Sequence, residues 1–291
     1  MPTIKAPIAG CMRWGKWGAD FSFTDYSNVI EACIEAGITS FDHADIYGDY
    51  TTEAAFGKVL QSQSSIRTKI QIITKCGIIL PNPQSGIDAI KTYNTTARHI
   101  IQSAEQSLLH FGTDYIDVLL IHRPDPLMHP LEIAEAVHTL QQQGKILSFG
   151  VSNFLPHQLK MLSKYLKIEY NQIEASILHL HPFVDGTLDA CIEHNITPMA
   201  WSPLGGGLIN DDNHPRYRSI IQVATTIATR FNTGANEILI AWLHKHPSGI
   251  LPVVGTTKME RLIQAKNAAS IQLTNEDWFR LWVAARGEEI A

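Results

Sequence analysis

This sequence has few cysteines, no long apolar run and no excess of basic side chains. Only four cysteines are scattered along 291 residues, with no CxxC pair. In a chain of this size, that pattern indicates reduced thiols and a cytosolic compartment. No run approaches the ~18 apolar residues of a membrane span, and the first residues lack an apolar signal core. We therefore expect a cytoplasmic protein that does not associate with a membrane.

Basic charge is too low for a typical nucleic-acid-binding protein. The chain has 23 basic and 28 acidic side chains, a formal net charge of −5, whereas nucleic-acid binders usually carry a basic excess. Local basic clusters could still hold a single phosphate group. The remaining composition, 45% hydrophobic and 18% charged, is that of an ordinary globular protein and excludes a disordered chain, a collagen-like repeat and a coiled coil.

Short apolar runs alternate with stretches of helical spacing along the whole chain. Residues 115–121 form the clearest strand, since a nearly continuous apolar run is typical of a strand covered on both faces. In the first helical stretch, apolar residues recur at i, i+3, i+4, i+7 and i+8 from Tyr26, and Gly37 is placed to end that helix. The predicted strands are residues 7–12, 38–42, 70–75, 115–121, 146–151, 170–174, 197–201 and 250–255.

Eight strands with helices between them predict a closed (β/α)₈ barrel, a TIM barrel, formed by residues 1–291 as a single α/β domain. An open doubly wound sheet is the alternative, but its GxGxxG phosphate-binding motif is absent. The segment 204–207 follows a late strand and has the wrong spacing. The helices are expected at about 52–61, 95–110, 130–144, 156–165, 187–194, 217–231 and 235–245, with a last one opened by the capping-box pair Thr274 and Asp277.

Polar side chains stand at the ends of three neighbouring predicted strands. Asp42 and Lys75 end the second and third predicted strands, His122 follows the fourth, and Tyr47 lies five residues beyond Asp42. Active sites of such barrels form at the C-terminal ends of the strands, so we expect these four side chains to share one rim. Taken singly, each has a plain structural interpretation: a helix cap for Asp42, a solvated charge for Lys75, packing for Tyr47 and a satisfied buried imidazole for His122.

Together, these four groups are suited to transferring a proton. A free tyrosine has a pKa of about 10 and is a poor proton donor or acceptor at neutral pH. An ammonium beside the phenol lowers that pKa, and a carboxylate holds the ammonium in place. A histidine can orient a carbonyl oxygen by donating a hydrogen bond to it. This arrangement fits the protonation of an oxygen whose carbon is receiving a hydride.

Five ordered motifs carry a family resemblance over nearly the whole chain. They are Phe-Asp-His-Ala-Asp-Ile-Tyr-Gly at 41–48, Ile-Thr-Lys-Cys at 73–76, Leu-Ile-His-Arg-Pro at 120–124, Gly-Val-Ser-Asn-Phe at 150–154 and Ala-Trp-Ser-Pro-Leu at 200–204. In this order they resemble the aldo-keto reductases, particularly bacterial oxidoreductases with an Asp-His-Ala-Asp-Ile-Tyr-Gly segment. The resemblance implies NAD(P)H-dependent reduction of small aldehydes and ketones. By this resemblance Tyr47 is the general acid, Lys75 and Asp42 adjust the pKa of Tyr47, and His122 aligns the substrate.

The resemblance also implies a nicotinamide cofactor bound extended across the barrel mouth. Ser152, Asn153 and Gln172 correspond to residues that hold its carboxamide, and Trp201 to an aromatic ring stacked on the nicotinamide. The segment after the last strand resembles one that grips the adenosine 2′-phosphate, which favours NADPH. The implied cofactor contacts are Gly10, Cys11, Met12, Asp42, Ser152, Asn153, Gln172, Trp201, Ser202, Pro203, Leu204, Gly205, Thr256, Lys258, Arg261 and Gln264. Substrate walls are predicted at Trp14, at Trp17 and in the loop after Tyr47.

Three positions depart from the family pattern. Gly255 stands where many relatives have a lysine that contacts the phosphate, so NADH stays an alternative to NADPH. His43 replaces a common threonine, and Ala265 replaces a frequent adenine-contacting asparagine.

Two other functions stay open at this stage. One is a module that binds nicotinamide cofactors and senses their redox state with little turnover, because some relatives act in that way. The other is a metal-dependent barrel hydrolase, since His179 and His181 form an HxH pair after the sixth strand. Further ligands at other strand ends are missing from that pattern, so no metal is expected.

Overall fold

A computed structural model describes residues 4–81, 90–210 and 214–291. Its ten strands are β1 (Ile8–Gly10), β2 (Ser40–Asp42), β3 (Gln71–Cys76), β4 (Ile78–Ile79), β5 (Thr92–Tyr93), β6 (Ile116–Ile121), β7 (Ile146–Ser152), β8 (Tyr170–Glu174), β9 (Thr197–Trp201) and β10 (Leu251–Val254).

Eight of these strands form a closed parallel barrel in the order β1-β10-β9-β8-β7-β6-β3-β2. The barrel closes through β1, where Ala9 pairs with Val254 on one side and with Phe41 on the other. The prediction of a (β/α)₈ barrel is therefore confirmed. That residues 1–291 form a single domain stays a prediction, and three short stretches of that range lie outside the described residues.

Strands β4 and β5 form a small antiparallel pair outside the barrel, with Ile78 opposite Tyr93 and Ile79 opposite Thr92. No pattern in the sequence predicts this pair. Two-residue strands are too short to show an alternating apolar pattern, so only their pairing identifies them. The pair follows β3 directly and lies beside the C-terminal ends of the barrel strands.

Helices follow most barrel strands and cover the outside of the barrel. Their ends show the expected caps. Thr274 and Asp277 form the predicted capping box, and Gly112 ends a helix in the left-handed conformation that glycine adopts readily, with φ of 64°. The helices are α1 (Phe23–Glu35), α2 (Tyr47–Tyr50), α3 (Thr52–Ser62), α4 (Ala97–Phe111), α5 (Pro130–Gln142), α6 (Pro156–Leu162), α7 (Thr187–Glu193), α8 (Pro215–Ala228), α9 (Ala235–His244), α10 (Met259–Ala268) and α11 (Asn275–Arg286). Within the described ranges, none of them is long and apolar enough to span a bilayer.

The barrel interior is layered because alternate residues of a strand point to the same face. One inward layer is mainly apolar and includes Ile8, Ile73, Leu120, Tyr170, Met199 and Val253. The residues two positions later on the same strands, or just past their ends, make up the next layer: Gly10, Lys75, His122, Gln172, Trp201 and Gly255. The alternation therefore places a polar layer on top of a packed apolar one, at the C-terminal end of the barrel.

Candidate active site

A cleft of about 430 Å³ opens over this polar layer. Asp42, Tyr47 and His122 line one part of it, and Thr256, Arg261 and Gln264 line another. A single cavity therefore joins the predicted proton-transfer residues to the predicted 2′-phosphate segment, which are far apart in the chain.

Lys75 is the hub of the site. Its side chain is only 1% exposed, and its Nζ donates to both carboxylate oxygens of Asp42 at 2.8 Å. The same Nζ lies 3.1 Å from the Tyr47 hydroxyl and 2.7 Å from the backbone oxygen of His43. A solvated surface charge, the structural alternative for Lys75, does not fit this burial or these four contacts.

Burial keeps the Tyr47 phenol protonated. The side chain is 8% exposed, and burial raises its pKa more than the Lys75 ammonium lowers it, so the net shift is upward. The residue types alone predict only the lowering of this pKa by the lysine. Lys75 itself stays charged: burial lowers its pKa, but Asp42 and Tyr47 together more than offset that effect, and its pKa is raised. The pair is therefore a neutral phenol beside an ammonium, the protonation state needed to donate a proton.

His122 is a neutral imidazole beside the phenol. Its ring lies 6.0 Å from the Tyr47 ring, centroid to centroid, in an edge-on arrangement. Burial, together with the positive charges of Lys75, Arg123 and Lys91, holds its pKa well below 6.5. A neutral imidazole carries one N–H, which is enough to donate a single hydrogen bond to a carbonyl oxygen.

Gln172 contacts the proton-transfer group directly. Its Nε2 donates to Asp42 Oδ1 at 2.7 Å, so the Asp42 carboxylate is held by both an ammonium and an amide. The resemblance implied only a cofactor contact for Gln172. The link to Asp42 spans 130 residues of sequence, and no local pattern signals it.

Most of the predicted cofactor contacts lie in the cleft. Those that line it are Gly10, Met12, Asp42, Ser152, Gln172, Trp201, Ser202, Pro203, Leu204, Thr256, Arg261 and Gln264. Close backbone approach explains the glycine at position 10, because a Cβ there would lie 3.2 Å from the Cα of Gly255. A larger residue at position 10 would require the backbone around Gly255 to move by a few tenths of an ångström.

Four predicted cofactor contacts lie outside the cleft lining. Cys11 is fully buried, and burial raises the pKa of its thiol well above the usual value. The Asn153 amide is engaged by Trp201 Nε1 at 3.1 Å and donates to Ser152 at 2.8 Å. The other two are Gly205, whose neighbours Gly206 and Gly207 line the cleft instead, and Lys258, an exposed residue preceding α10.

Trp14 was predicted as a substrate wall, and the structure places it in the core. It is 0% exposed, packs against Phe21, Tyr26 and Phe41, and donates from Nε1 to the backbone oxygen of Thr256 at 2.9 Å. Trp17, the other predicted wall, does line the cleft. The two tryptophans lie three residues apart on one loop, so only the path of that loop decides which ring faces the cavity.

Other cleft residues lie on loops, strands and helices alike, and no pattern in the sequence predicts that they face the cavity. Arg123 directly follows His122 and could have been found from that position alone. The unpredicted lining residues are Arg13, Ile46, Ile78, Leu80, Lys91, Arg123, Gly206, Gly207, Asn236, Glu237, Ile240, Val253, Val254, Gly255 and Ala265.

His43 faces away from the cleft into an aromatic pocket between the barrel and two helices. Its ring is fully buried and edge-on to Phe56 and Phe111, at centroid distances of 4.7 and 5.2 Å. Neither ring nitrogen has a hydrogen-bond partner in the described part of the chain. Burial, reinforced by the Lys75 charge, lowers its pKa to about 3. This departure from the family pattern is therefore a packing residue that stays neutral.

Acid should destabilise the protein partly through His43, and His43→Phe should reduce that effect. Between about pH 6.5 and 3 the unfolded chain binds a proton at this residue and the folded chain does not, so stability falls as pH falls. From pH 7 to pH 5, the variant should lose about 2 kcal/mol less unfolding free energy than the parent. Urea unfolding at both pH values measures this difference. His138→Gln, at an exposed position, is the control, and an equal acid loss in His43→Phe and the parent would contradict the assignment.

The HxH pair does not form a metal site in the described residues. His181 Nδ1 pairs with Asp185 at 2.7 Å, and His179 lies 3.9 Å from Glu174. Within residues 4–81, 90–210 and 214–291, no group of three His, Cys, Asp or Glu side chains is arranged to hold a metal ion. The hydrolase alternative therefore has no structural support in this part of the chain.

Comparison with known proteins gives separate evidence on the family of the chain. The sequence profile described as the aldo/keto reductase family matches residues 8–283. The chain belongs to the aldo/keto reductase family. It is thus an oxidoreductase of that family, and the resemblance stated from the motifs is confirmed.

Curated relatives of this reductase match it almost from end to end. It is 45% identical to the uncharacterized oxidoreductase YcsN of Bacillus subtilis, covering 97% of this chain and 95% of the relative. It is 41% identical to oxidoreductase YdhF of Escherichia coli, over 99% and 96% of the two chains. With 6-dehydroglucose reductase of Agrobacterium fabrum the identity is 40%, over 96% and 95%.

Solved structures confirm the fold of the reductase. The thermostable aldo-keto reductase Tm1743, solved with the inhibitor epalrestat, superposes with a TM-score of 0.80 at 26% identity, covering 97% of this chain and 95% of that one. An aldo/keto reductase from Klebsiella pneumoniae, solved with NADP and acetate, gives a TM-score of 0.76 at 24% identity, over 96% and 90%.

Proposed function

We propose that this protein reduces aldehydes and ketones to alcohols with NADPH, and that Tyr47 is the general acid. The observation that carries the proposal is the Lys75 ammonium, bonded to Asp42 at 2.8 Å and lying 3.1 Å from the Tyr47 hydroxyl. Asp42 and Tyr47 themselves line an open cleft. A buried phenol beside a fixed ammonium can donate a proton, because the ammonium stabilises the phenolate that forms.

The lining of the cleft supports an extended dinucleotide as the cofactor. Tyr47 and His122 line the same cavity as Arg261, a cation with no ion pair in the described residues. Ser152, Gln172 and Trp201 would hold the nicotinamide end, and Thr256, Arg261 and Gln264 the adenosine end. When bound, the nicotinamide supplies the hydride that the carbonyl carbon accepts.

The remaining chemistry belongs to side chains of this protein. Tyr47 donates its hydroxyl proton to the carbonyl oxygen, and Lys75 stabilises the charge left on the phenol oxygen. Asp42, held by Gln172 at 2.7 Å, keeps the ammonium in position. His122 donates one hydrogen bond to the carbonyl oxygen and so orients it toward the phenol.

A panel of carbonyl compounds tests the proposal. Aldehydes, ketones, quinones and a sugar aldehyde would each be incubated with NADPH and with NADH, and loss of the reduced nicotinamide absorbance followed. The sugar aldehyde is included because one relative is a 6-dehydroglucose reductase. Turnover of any of these compounds supports the reductase. Tight NADPH binding without turnover of any of them would instead favour a module that senses the redox state of the cofactor.

Cofactor selection should depend on Arg261. Removing a charge-assisted hydrogen bond costs about 1.5–3 kcal/mol, so Arg261→Ala should weaken NADPH binding about tenfold or more. NADH lacks the 2′-phosphate, and its affinity should change little. Fluorescence titration of both cofactors measures this, with Arg280→Ala on the exposed side of α11 as the control. Equal weakening of NADPH and NADH by Arg261→Ala would contradict the phosphate assignment.

A further inference from the structure

Several cationic side chains line the cleft. Arg13 follows β1, Lys91 precedes β5, and Arg123 follows His122 at the end of β6; all three line the cavity. The guanidinium carbon of Arg123 lies 5.5 Å from the centroid of the Trp201 ring. Three separate loops thus bring positive charge to one opening.

These charges are not neutralised by carboxylates in the described residues. Four cations and two acidic side chains line the cleft, although the whole chain has a net charge of −5. Of the two acids, Asp42 is already bonded to Lys75 and Gln172, and Glu237 lies on α9. Asp49, close to the mouth, accepts a hydrogen bond from Trp17 at 3.0 Å. None of Arg13, Lys91 and Arg123 forms an ion pair within the described ranges.

Arg123 and Lys91 lie near the carbonyl site. Their charges act on the His122 ring and help to keep it neutral, and Arg123 is the residue next to His122 in the chain. The Trp201 face restricts the guanidinium, which is only partly exposed. A planar guanidinium with free N–H donors is the side chain best matched to an oxyanion group.

We propose that the preferred carbonyl substrates carry an oxyanion group, such as a carboxylate, which Arg123 binds with support from Lys91. The proposal rests on the proposed reductase function and names its substrate class. A neutral carbonyl compound of the same shape would leave the two cations unpaired, whereas an anionic one pairs with them.

A matched pair of aldehydes tests this. 4-Formylbenzoate carries a carboxylate, and methyl 4-formylbenzoate is its neutral ester. The wild-type protein should prefer the acid by about tenfold or more in kcat/KM, since a hydrogen bond to a charged group is stronger than one between neutral groups. The preference should act mainly through KM and should fall with added salt, because the cleft is open to solvent.

Variants identify the residues responsible. Arg123→Gln should bring the acid-to-ester ratio close to one, Arg123→Lys should keep part of the preference, and Lys91→Gln should lower it partway. Lys160→Gln, at an exposed position on α6 outside the cleft lining, should leave the ratio unchanged. NADPH affinity, measured without aldehyde, is expected to be similar in the wild type and in the Arg123 variants.

The outcomes separate the substrate class from the reaction. If the wild type reduces the ester and the acid with equal kcat/KM, the oxyanion proposal is overturned and the reductase function stands. If Arg123→Gln weakens NADPH as much as it weakens the acid, the cation serves the cofactor, and the proposal is again overturned. If neither aldehyde nor any compound of the wider panel is reduced, the proposed function itself fails.

Discussion

Replacing Tyr47 by phenylalanine is expected to lower kcat/KM for aldehyde reduction by about a thousandfold. The variant loses the hydroxyl that lies 3.1 Å from Lys75 Nζ, and with it the proton donated to the carbonyl oxygen. The aromatic ring is retained, so packing and NADPH affinity should change little. Initial rates, together with fluorescence titration of NADPH, measure both properties in one preparation.

Two comparisons make this result interpretable. Tyr165→Phe removes a hydroxyl from an exposed tyrosine outside the cleft lining and should leave turnover unaltered. A circular dichroism spectrum and melting temperature like those of the wild type would show that Tyr47→Phe is folded. Near-normal reduction by a folded Tyr47→Phe variant would refute its assignment as the general acid.

Replacing Lys75 by methionine should affect both stability and activity. Removal of one partner leaves the buried Asp42 carboxylate without its counter-charge, and such a loss typically costs about 3–5 kcal/mol of unfolding free energy. The backbone oxygen of His43 also loses a donor at 2.7 Å. Turnover should fall as well, since no ammonium remains to stabilise the developing phenolate.

A second variant separates these two effects. Asp42→Asn combined with Lys75→Met removes both charges, and burying neutral side chains is often as favourable as burying an ion pair. The double variant should therefore regain much of the stability lost in Lys75→Met while reduction stays low. Urea unfolding and aldehyde turnover measure the two properties separately. Recovery of turnover along with stability would show that Lys75 has only a structural role.

Residue types predict the positions of the catalytic side chains better than their pKa values. Asp42, Lys75 and His122 were placed on one rim because the C-terminal ends of parallel strands meet there. Lys75 does lower the pKa of the phenol, as predicted, but a sequence does not show how completely both groups are desolvated. Burial outweighs the lysine charge at Tyr47.

Trp14 and Trp17 illustrate a similar limit. Both lie on the loop after β1, and neither has a periodic pattern around it that indicates a buried face. Trp14 packs into the aromatic cluster of α1 and β2, whereas Trp17 lies at the mouth, with its ring 6.1 Å from that of Tyr47. The short β4–β5 pair escaped prediction for the same reason, because its pairing is not encoded within two residues.

The sequence by itself determined the alternation of strands and helices, the closed barrel and the polar residues at the strand ends. These features follow from the periodicity of apolar residues and from the lengths of the connections, both of which can be read from short segments of the sequence. Only the tertiary structure decided that Gln172 holds Asp42, that His43 is sealed between Phe56 and Phe111, and that Arg123 and Lys91 share an opening. Such contacts join residues distant in sequence, and their energies depend on how far water is excluded around them.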